Sequence, residues 1–343
     1  MDDDLIKRDF DLSANNFLAL TSRAEYFCAA QTQDMLIQAL AFARQQDIPI
    51  KIIASGSNVV LPEKVSGLVI SPCMQGIVKR GDRLQVAAGV LWDDLVRESI
   101  EHFGLAGLEN LSGIPGTVGA APIQNIGAYG VELSDCFGGL VAINLETHER
   151  HHFDAAACQF SYRNSIFKHP APAQFIVTEV EIALSQIQSF EPCLDYADLR
   201  DAVAGGQGRH SPEAIREAVL QLRYRKLPDP GLQPNVGSFF KNPVIDLSAY
   251  NSLIKKVGPV PSHIEESFRK LSAAWLIDQL GLKGFRIGGA QVSNQHALVI
   301  ENAGWASFDD VLALTKKVQQ AVMENFHISL EPEPVFFNTD QAS

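Results

Sequence analysis

Two stretches of small residues carry the first chemical information in this chain. Ser55-Gly56-Ser57-Asn58 directly follows the β-branched run Pro49-Ile50-Lys51-Ile52-Ile53-Ala54. The amides and two hydroxyls of such a turn can cradle a phosphate, although a turn of this composition also serves as a plain connection. The second stretch is Ser112 to Gly130, the end of a segment from Gly104 that holds seven glycines with Pro115 and Pro122 and is apolar rather than polar. A solvent linker is richer in charge and serine. Apolar and glycine-rich together predict backbone packed close to something large and flat. Thr117, Gln124 and Asn125 can donate along a diphosphate or the edge of a flavin. A nicotinamide-type G-x-G-x-x-G turn does not occur: Gly206-Gln207-Gly208 has Ser211 in place of the third glycine and follows a helical pattern, not a strand.

The formal net charge is −12, which argues against a general nucleic-acid binder, because such affinity comes mainly from neutralising phosphates. If the ligand is itself a phosphate ester, cations must be concentrated locally. The densest basic run is Arg223-Tyr224-Arg225-Lys226, with Lys241-Asn242 further on. The run can equally be a helix C-terminus decorated to suit the dipole. Cys28, Cys73, Cys136, Cys158 and Cys193 are scattered, with no metal-ligand spacing, and read as inert thiols in a reducing compartment. No apolar run approaches the roughly 20 residues of a membrane span. The acidic start, Met1 to Phe10, is not a signal peptide, so the cytoplasm is expected.

The elements that must position these residues follow from periodicity and punctuation. Thr32 to Gln46 reads as an amphipathic helix capped by Thr32. Gly67 to Ala88 reads as short strands with a hairpin at Gly81-Asp82, and Leu91 to Phe103 as a helix stopped by Gly104. Strands are expected over Leu140 to Leu145 and Phe175 to Leu184. Ser211-Pro212 starts a helix that runs to about Arg225. Leu227-Pro228-Asp229-Pro230-Gly231 then breaks the chain. The last third alternates helices (Leu247 to Lys256, Ala273 to Leu280, Phe308 to Asn325) with short strands such as Ala297 to Ile300.

The two small-residue turns resemble those of the vanillyl-alcohol-oxidase/p-cresol-methylhydroxylase flavin-binding superfamily. The ordered motifs Ser161-Tyr162-Arg163-Asn164-Ser165, Lys226-Leu227-Pro228-Asp229-Pro230, Gly237-Ser238-Phe239-Phe240-Lys241-Asn242-Pro243 and Leu330-Glu331-Pro332-Glu333 narrow it. Over nearly the whole chain they resemble the UDP-N-acetylenolpyruvoylglucosamine reductase family, in its longer subtype by the insert around Leu194-Asp195-Tyr196. The fold this implies is α+β: a two-lobed FAD-binding domain (1–72, with the C-terminal tail packing on it, and 73–226) and a C-terminal α/β substrate domain (227–343).

The resemblance implies reduction of an enolpyruvyl ether on UDP-N-acetylglucosamine to UDP-N-acetylmuramate for peptidoglycan synthesis, with non-covalent FAD, NADPH as reductant and no metal. Hydride from flavin N5 adds to the terminal carbon and charge passes into the carboxylate. Arg163 and, if protonated, Glu333 would stabilise that charge and Ser238 would supply the proton. By themselves these three residues also fit a surface arginine, a strand start and a solvated turn acid. FAD contacts are implied for Ser55, Gly56, Ser57 and Asn58 in the first turn. In the second they fall on Ile114, Pro115, Gly116, Thr117, Gly119, Ala120, Ile123, Gln124, Asn125, Gly127 and Ala128, with Arg223 facing the flavin. Tyr196, Lys226, Asn242 and His296 would contact the UDP-sugar. A monomer working on a small soluble substrate, without membrane or nucleic acid, is expected. Three departures stand out: Ala54 where the family has glycine, Val335 where it has arginine, and the intervening Pro334, which makes Glu331 a rival for the acid's role. An oxidase of the same superfamily and a non-catalytic UDP-sugar sensor are the alternatives.

Overall fold

The computed structural model describes residues 5–168, 175–204, 210–265 and 267–337. Gly206-Gln207-Gly208 and the ends of the outer expected domains lie outside them. The first lobe is a four-stranded sheet ordered Lys7–Asp11, Arg23–Ala30, Lys64–Pro72, Ile50–Ile52, antiparallel in its first pair and parallel in the rest. Gln33–Gln46 covers it, and the Thr32 hydroxyl accepts from Met35 N at 3.2 Å, satisfying an amide with no helical partner. Leu36, Ala39, Leu40 and Ala43 bury against Cys28, Leu68 and Ile70. Lys64–Pro72 begins three residues earlier than the pattern predicts. It is a central parallel strand, covered on both faces, and so reads as a continuous apolar run rather than an alternation.

The second lobe is an antiparallel sheet ordered Arg150–Phe153, Phe137–Asn144, Phe175–Ala183, Arg83–Ala87, Ile77–Arg80. Gly81-Asp82 makes its tight turn, with Gly81 at φ +64°. Trp92–Glu101 packs Trp92, Leu95 and Val96 on this sheet. Ile143 and Ile176 join the core of the first sheet, so the lobes share apolar contact. Pro212–Lys226 pairs with the short helix Ala197–Ala204, and Tyr129 and Tyr196 pack on them.

The last third is an antiparallel sheet, Asn235–Ser238, Val299–Asn302, Ala290–Val292, Arg286–Ile287, with a three-stranded sheet beside it. Helices Leu247–Val257, Ala273–Gln279 and Phe308–Phe326 close its core, which also takes in Leu18, Leu20 and Val60 from the first lobe. Beyond it, Val335–Phe336 returns to pair in parallel with Val59–Val60. No described helix is long and apolar enough to cross a membrane.

Candidate active site

The two small-residue turns meet. Ser57 Oγ donates to Pro115 O at 3.2 Å, and Asn58 Nδ2 donates to Gln124 Oε1 at 3.1 Å. Between them opens a cavity of about 840 Å³. Its wall takes Gly56, Ser57 and Asn58 from one turn and Ile114, Pro115, Gly116, Thr117, Gly119, Ala120, Ile123, Gln124, Gly127 and Ala128 from the other. Glycine is required at two of these positions for different reasons. Gly56 sits at φ +73° with the backbone oxygen of Asn15 only 1.9 Å from where a Cβ would lie. At Gly119 a Cβ would fall 2.5 Å from Ala88 Cβ.

Arg223 reaches the cavity wall from the last turn of Pro212–Lys226. Burial pulls its guanidinium pKa down, opposed by Tyr129 and Asp93. Asp93 fixes this helix to the second turn: it accepts a two-pronged bond from Arg216, at 2.6 and 2.8 Å, and a bond from Gly113 N at 2.6 Å.

Arg163, Ser238 and Glu333 line the same cavity, from positions up to 170 residues apart in the chain. Arg163 adopts φ +51°, a conformation L-residues with side chains avoid and that clusters at functional sites. Its Nη2 donates to Gly127 O at 2.5 Å and its Nε lies 3.5 Å from Glu333 Oε1. Ser238 ends the strand Asn235–Ser238, and the Glu333 amide bonds to the carbonyl of its neighbour Phe239 at 2.9 Å. Burial pushes the Glu333 carboxyl above its ordinary range, and Arg163, Lys168 and Lys241 oppose that push. Glu331 is different: its side chain is 63% exposed and paired to Lys241 Nζ at 2.5 Å.

Lys226, also on the cavity wall, pairs with Asp198 and lies 5.6 Å over the Tyr196 ring, which packs edge-on against Tyr129. Burial works against the Lys226 charge, but Asp198 and Tyr196 outweigh it and its pKa is raised. His296 accepts from Leu298 N on Nδ1 at 3.2 Å, so its ring proton sits on Nε2. Burial and the nearby Lys226 hold that imidazole below its ordinary pKa.

Three expected contact residues are not on the cavity wall. Asn125 is fully buried, with its amide donating to Glu132 Oε2 at 2.7 Å and accepting from Ser134 N at 2.9 Å. Asn242 accepts from Ala273 N at 3.0 Å, inside the fold. Ser55 Oγ is buried and has no hydrogen-bond partner among the described residues. The wall also holds residues that sequence reasoning passed over, chiefly Lys168, Tyr129 and Asp229. Lys168 had one faint signal, a lone cation directly after the apolar Ile166-Phe167.

The donor set fits FAD: two glycine-permitted turns stitched to one another and a desolvated guanidinium on the wall. No Cys or His of either turn could tether a flavin covalently. Among the described residues no His, Cys, Asp and Glu cluster could hold a metal ion.

One mixed and one antiparallel sheet clasp the glycine-lined cleft, the architecture of an FAD-binding flavoprotein. The FAD binding domain family matches residues 24–147, and the UDP-N-acetylenolpyruvoylglucosamine reductase C-terminal domain family matches residues 229–337. The 6-hydroxy-D-nicotine oxidase of Arthrobacter nicotinovorans shares the fold, with TM-score 0.54 at 15% identity over 98% of this chain and 89% of that one. UDP-N-acetylenolpyruvoylglucosamine reductases match far more closely in sequence. That of Paraburkholderia xenovorans is 42% identical over 95% of this chain and 96% of its own, and that of Pseudomonas fluorescens 39% over 96% and 98%. The crystal structure of the Thermus caldophilus reductase superposes with TM-score 0.68 at 26% identity, covering 97% of this chain and 99% of that one. The chain belongs to the UDP-N-acetylenolpyruvoylglucosamine reductase family and is an FAD-dependent oxidoreductase.

Proposed function

We propose that this enzyme reduces UDP-N-acetylglucosamine enolpyruvate to UDP-N-acetylmuramate with NADPH, in peptidoglycan precursor synthesis. The observation that carries the reading is that Arg163, Ser238 and Glu333 line the same cavity as the two small-residue turns, with Arg163 bonded to Gly127 O and Asn58 to Glu333 O. FAD held in that cradle would supply the hydride chemistry for the enol ether, with NADPH as the reductant. Arg163 presents a fork of donors to the substrate carboxylate, where negative charge develops. Its unusual backbone and its bond to Gly127 O fix that fork beside the second turn. Protonated Glu333, the form its burial favours, would donate to the same carboxylate and share in that stabilisation. Ser238 delivers the proton to the carbon that becomes the lactyl centre. A hydroxyl is a weak acid and does this only for a strongly basic carbon.

Lys226 and the Nε2–H of His296 bind the UDP-sugar, with Tyr196 packed beneath the Lys226 ammonium. The same reading has the enzyme act as a cytoplasmic monomer. It divides the chain at 72/73 and 226/227, a division supported by the separate apolar clusters around Leu36, Trp92 and Phe239. The test is spectroscopic. Purified protein should be yellow and release all its flavin to the supernatant on acid precipitation. NADPH should bleach it, and the enolpyruvyl UDP-sugar should restore the colour under anaerobic conditions. A colourless protein, or one that simple sugars bleach and oxygen restores, refutes the reading.

A further inference from the structure

Three lysine and arginine side chains surround Glu333, and they differ in what they hold. Arg163 faces Glu333 itself at 3.5 Å and also bonds Gly127 O. Lys241 grips Glu331 at 2.5 Å. The Lys168 ammonium is buried and has no hydrogen-bond partner among the described residues, although Lys168 lines the cavity. It lies beside the Lys241 ammonium, whose like charge works with burial to pull its pKa down, while Glu333 and Glu331 pull the other way. Glu132, the next carboxylate nearby, feels Arg163 and Lys270 instead.

A buried charge without a partner is costly, and two adjacent ammonium groups more so. Such an arrangement persists where an anion completes it. Fixing the cations in advance also avoids reorganisation when the anion arrives. The reaction brings one anionic group to this end of the cavity, the carboxylate conjugated to the enol ether. We propose that Lys168 is a substrate-binding residue that receives this carboxylate together with Arg163, and so separates carboxylated from uncarboxylated UDP-sugars. The four-carbon arm of lysine lets the ammonium turn from its buried position onto the incoming oxygen. As charge flows into the carboxylate during reduction, the same contact strengthens. The inference rests on the function proposed above and adds a residue to its site.

The experiment compares two ligands that differ at the carboxylate. Binding of UDP-N-acetylmuramate, which carries it, and UDP-N-acetylglucosamine, which lacks it, is followed by perturbation of the flavin spectrum in the FAD-loaded enzyme. Lys168→Met should weaken the carboxylated ligand by about 10 to 100-fold, the scale of one charge-assisted contact, and leave the other within about twofold. Lys168→Arg should restore most of the difference. FAD content and the rate of bleaching by NADPH should match the unmodified enzyme. Should Lys168→Met fail to retain FAD, Lys168→Gln is read in the same way. Equal weakening of both ligands reduces Lys168 to packing and overturns the proposal, as does no change in either. An unmodified enzyme that binds neither ligand overturns the proposed function itself, a separate and recognisable result.

Discussion

Replacing Glu333 and Glu331 separately by Gln tests which acid of the Glu-Pro-Glu tail serves the reaction. Gln keeps shape and removes charge and proton. Glu333 is 9% exposed and its carboxylate stands 3.5 Å from Arg163 Nε, so the loss is felt where water cannot compensate. Removing one preorganised electrostatic or acid-base group costs about 10²-fold or more, roughly 2.7 kcal/mol at 1.36 kcal/mol per decade. Glu331 is 63% exposed and its partner is Lys241. An exposed ion pair contributes about 0–1 kcal/mol, so Glu331→Gln should change turnover by no more than about fivefold. The assay is anaerobic stopped flow. Enzyme reduced by one equivalent of NADPH is mixed with the enolpyruvyl UDP-sugar, and return of the flavin absorbance is timed. Reduction by NADPH is the internal control and should stay near normal in both variants. A slow Glu331→Gln with a normal Glu333→Gln would refute the reasoning, and so would equal, modest losses in both.

In the same assay Ser238→Ala should leave reduction intact and slow reoxidation by about 10² to 10⁴-fold, and near-normal reoxidation would assign the proton to another group. Gly56→Ala should abolish FAD retention: beyond roughly 1–2 kcal/mol for a side chain at φ +73°, its Cβ would collide with Asn15 O. A yellow Gly56→Ala protein of normal stability would contradict the geometry of the first turn. Asp93→Ala should lower stability by about 1–2 kcal/mol, because the Arg216 pair is part-exposed, and weaken FAD binding by loosening the second turn from its helix. Glu109→Gln tests a buried acid outside the site. Burial raises the Glu109 pKa against the opposing amides of Gly107, Glu109 and Leu108. An acid raised in the fold favours folding while protonated, and that benefit fades as pH rises through its folded pKa. Urea melts should therefore show Glu109→Gln gaining on the unmodified protein between about pH 5 and about pH 8. A constant difference would mean the acid is not strained by ionisation.

The elements were legible where local chemistry sets them. Thr32 and Ser211 bond the amides of Met35 and Ala214, and Ser307 with Asp310 completes a capping box, so caps and periodicity agree with tertiary packing. That the two small-residue turns would line a cleft was legible because glycine at this density has few other uses. Side-chain assignments within those motifs were less so. Asn125 donates its amide to Glu132 within the fold, and the Asn242 amide oxygen accepts from Ala273 N. A short polar side chain bonds whatever tertiary structure brings near, and spacing does not reveal what that is. Lys168 was missed for the same reason, since its place beside Glu333 depends on a chain segment 165 residues away.

The contrast between Glu331 and Glu333 comes from depth rather than direction. The tail runs antiparallel to the Ser238 segment: Lys241 N bonds Glu331 O, Phe240 bridges to Pro332, and Glu333 N bonds Phe239 O. Pro332 and Pro334 have no amide hydrogen to offer. The next one, at Val335, turns to the other side and bonds Asn58 O at 3.0 Å, while Asn58 Nδ2 reaches Glu333 O at 3.3 Å. The tail is thus a suture between the serine-bearing strand and the first flavin turn. Positions two apart on an extended chain share a face and lie about 6.6 Å from each other. That step takes the chain from the solvent-side pair of Glu331 with Lys241 to the cavity wall where Glu333 meets Arg163. Pro334 does not break this register, because the pairing it interrupts is taken up by Asn58 on the opposite side. The tail therefore carries its buried acid to Arg163 with Val335 where the family places arginine, and Val335 itself joins the cavity wall.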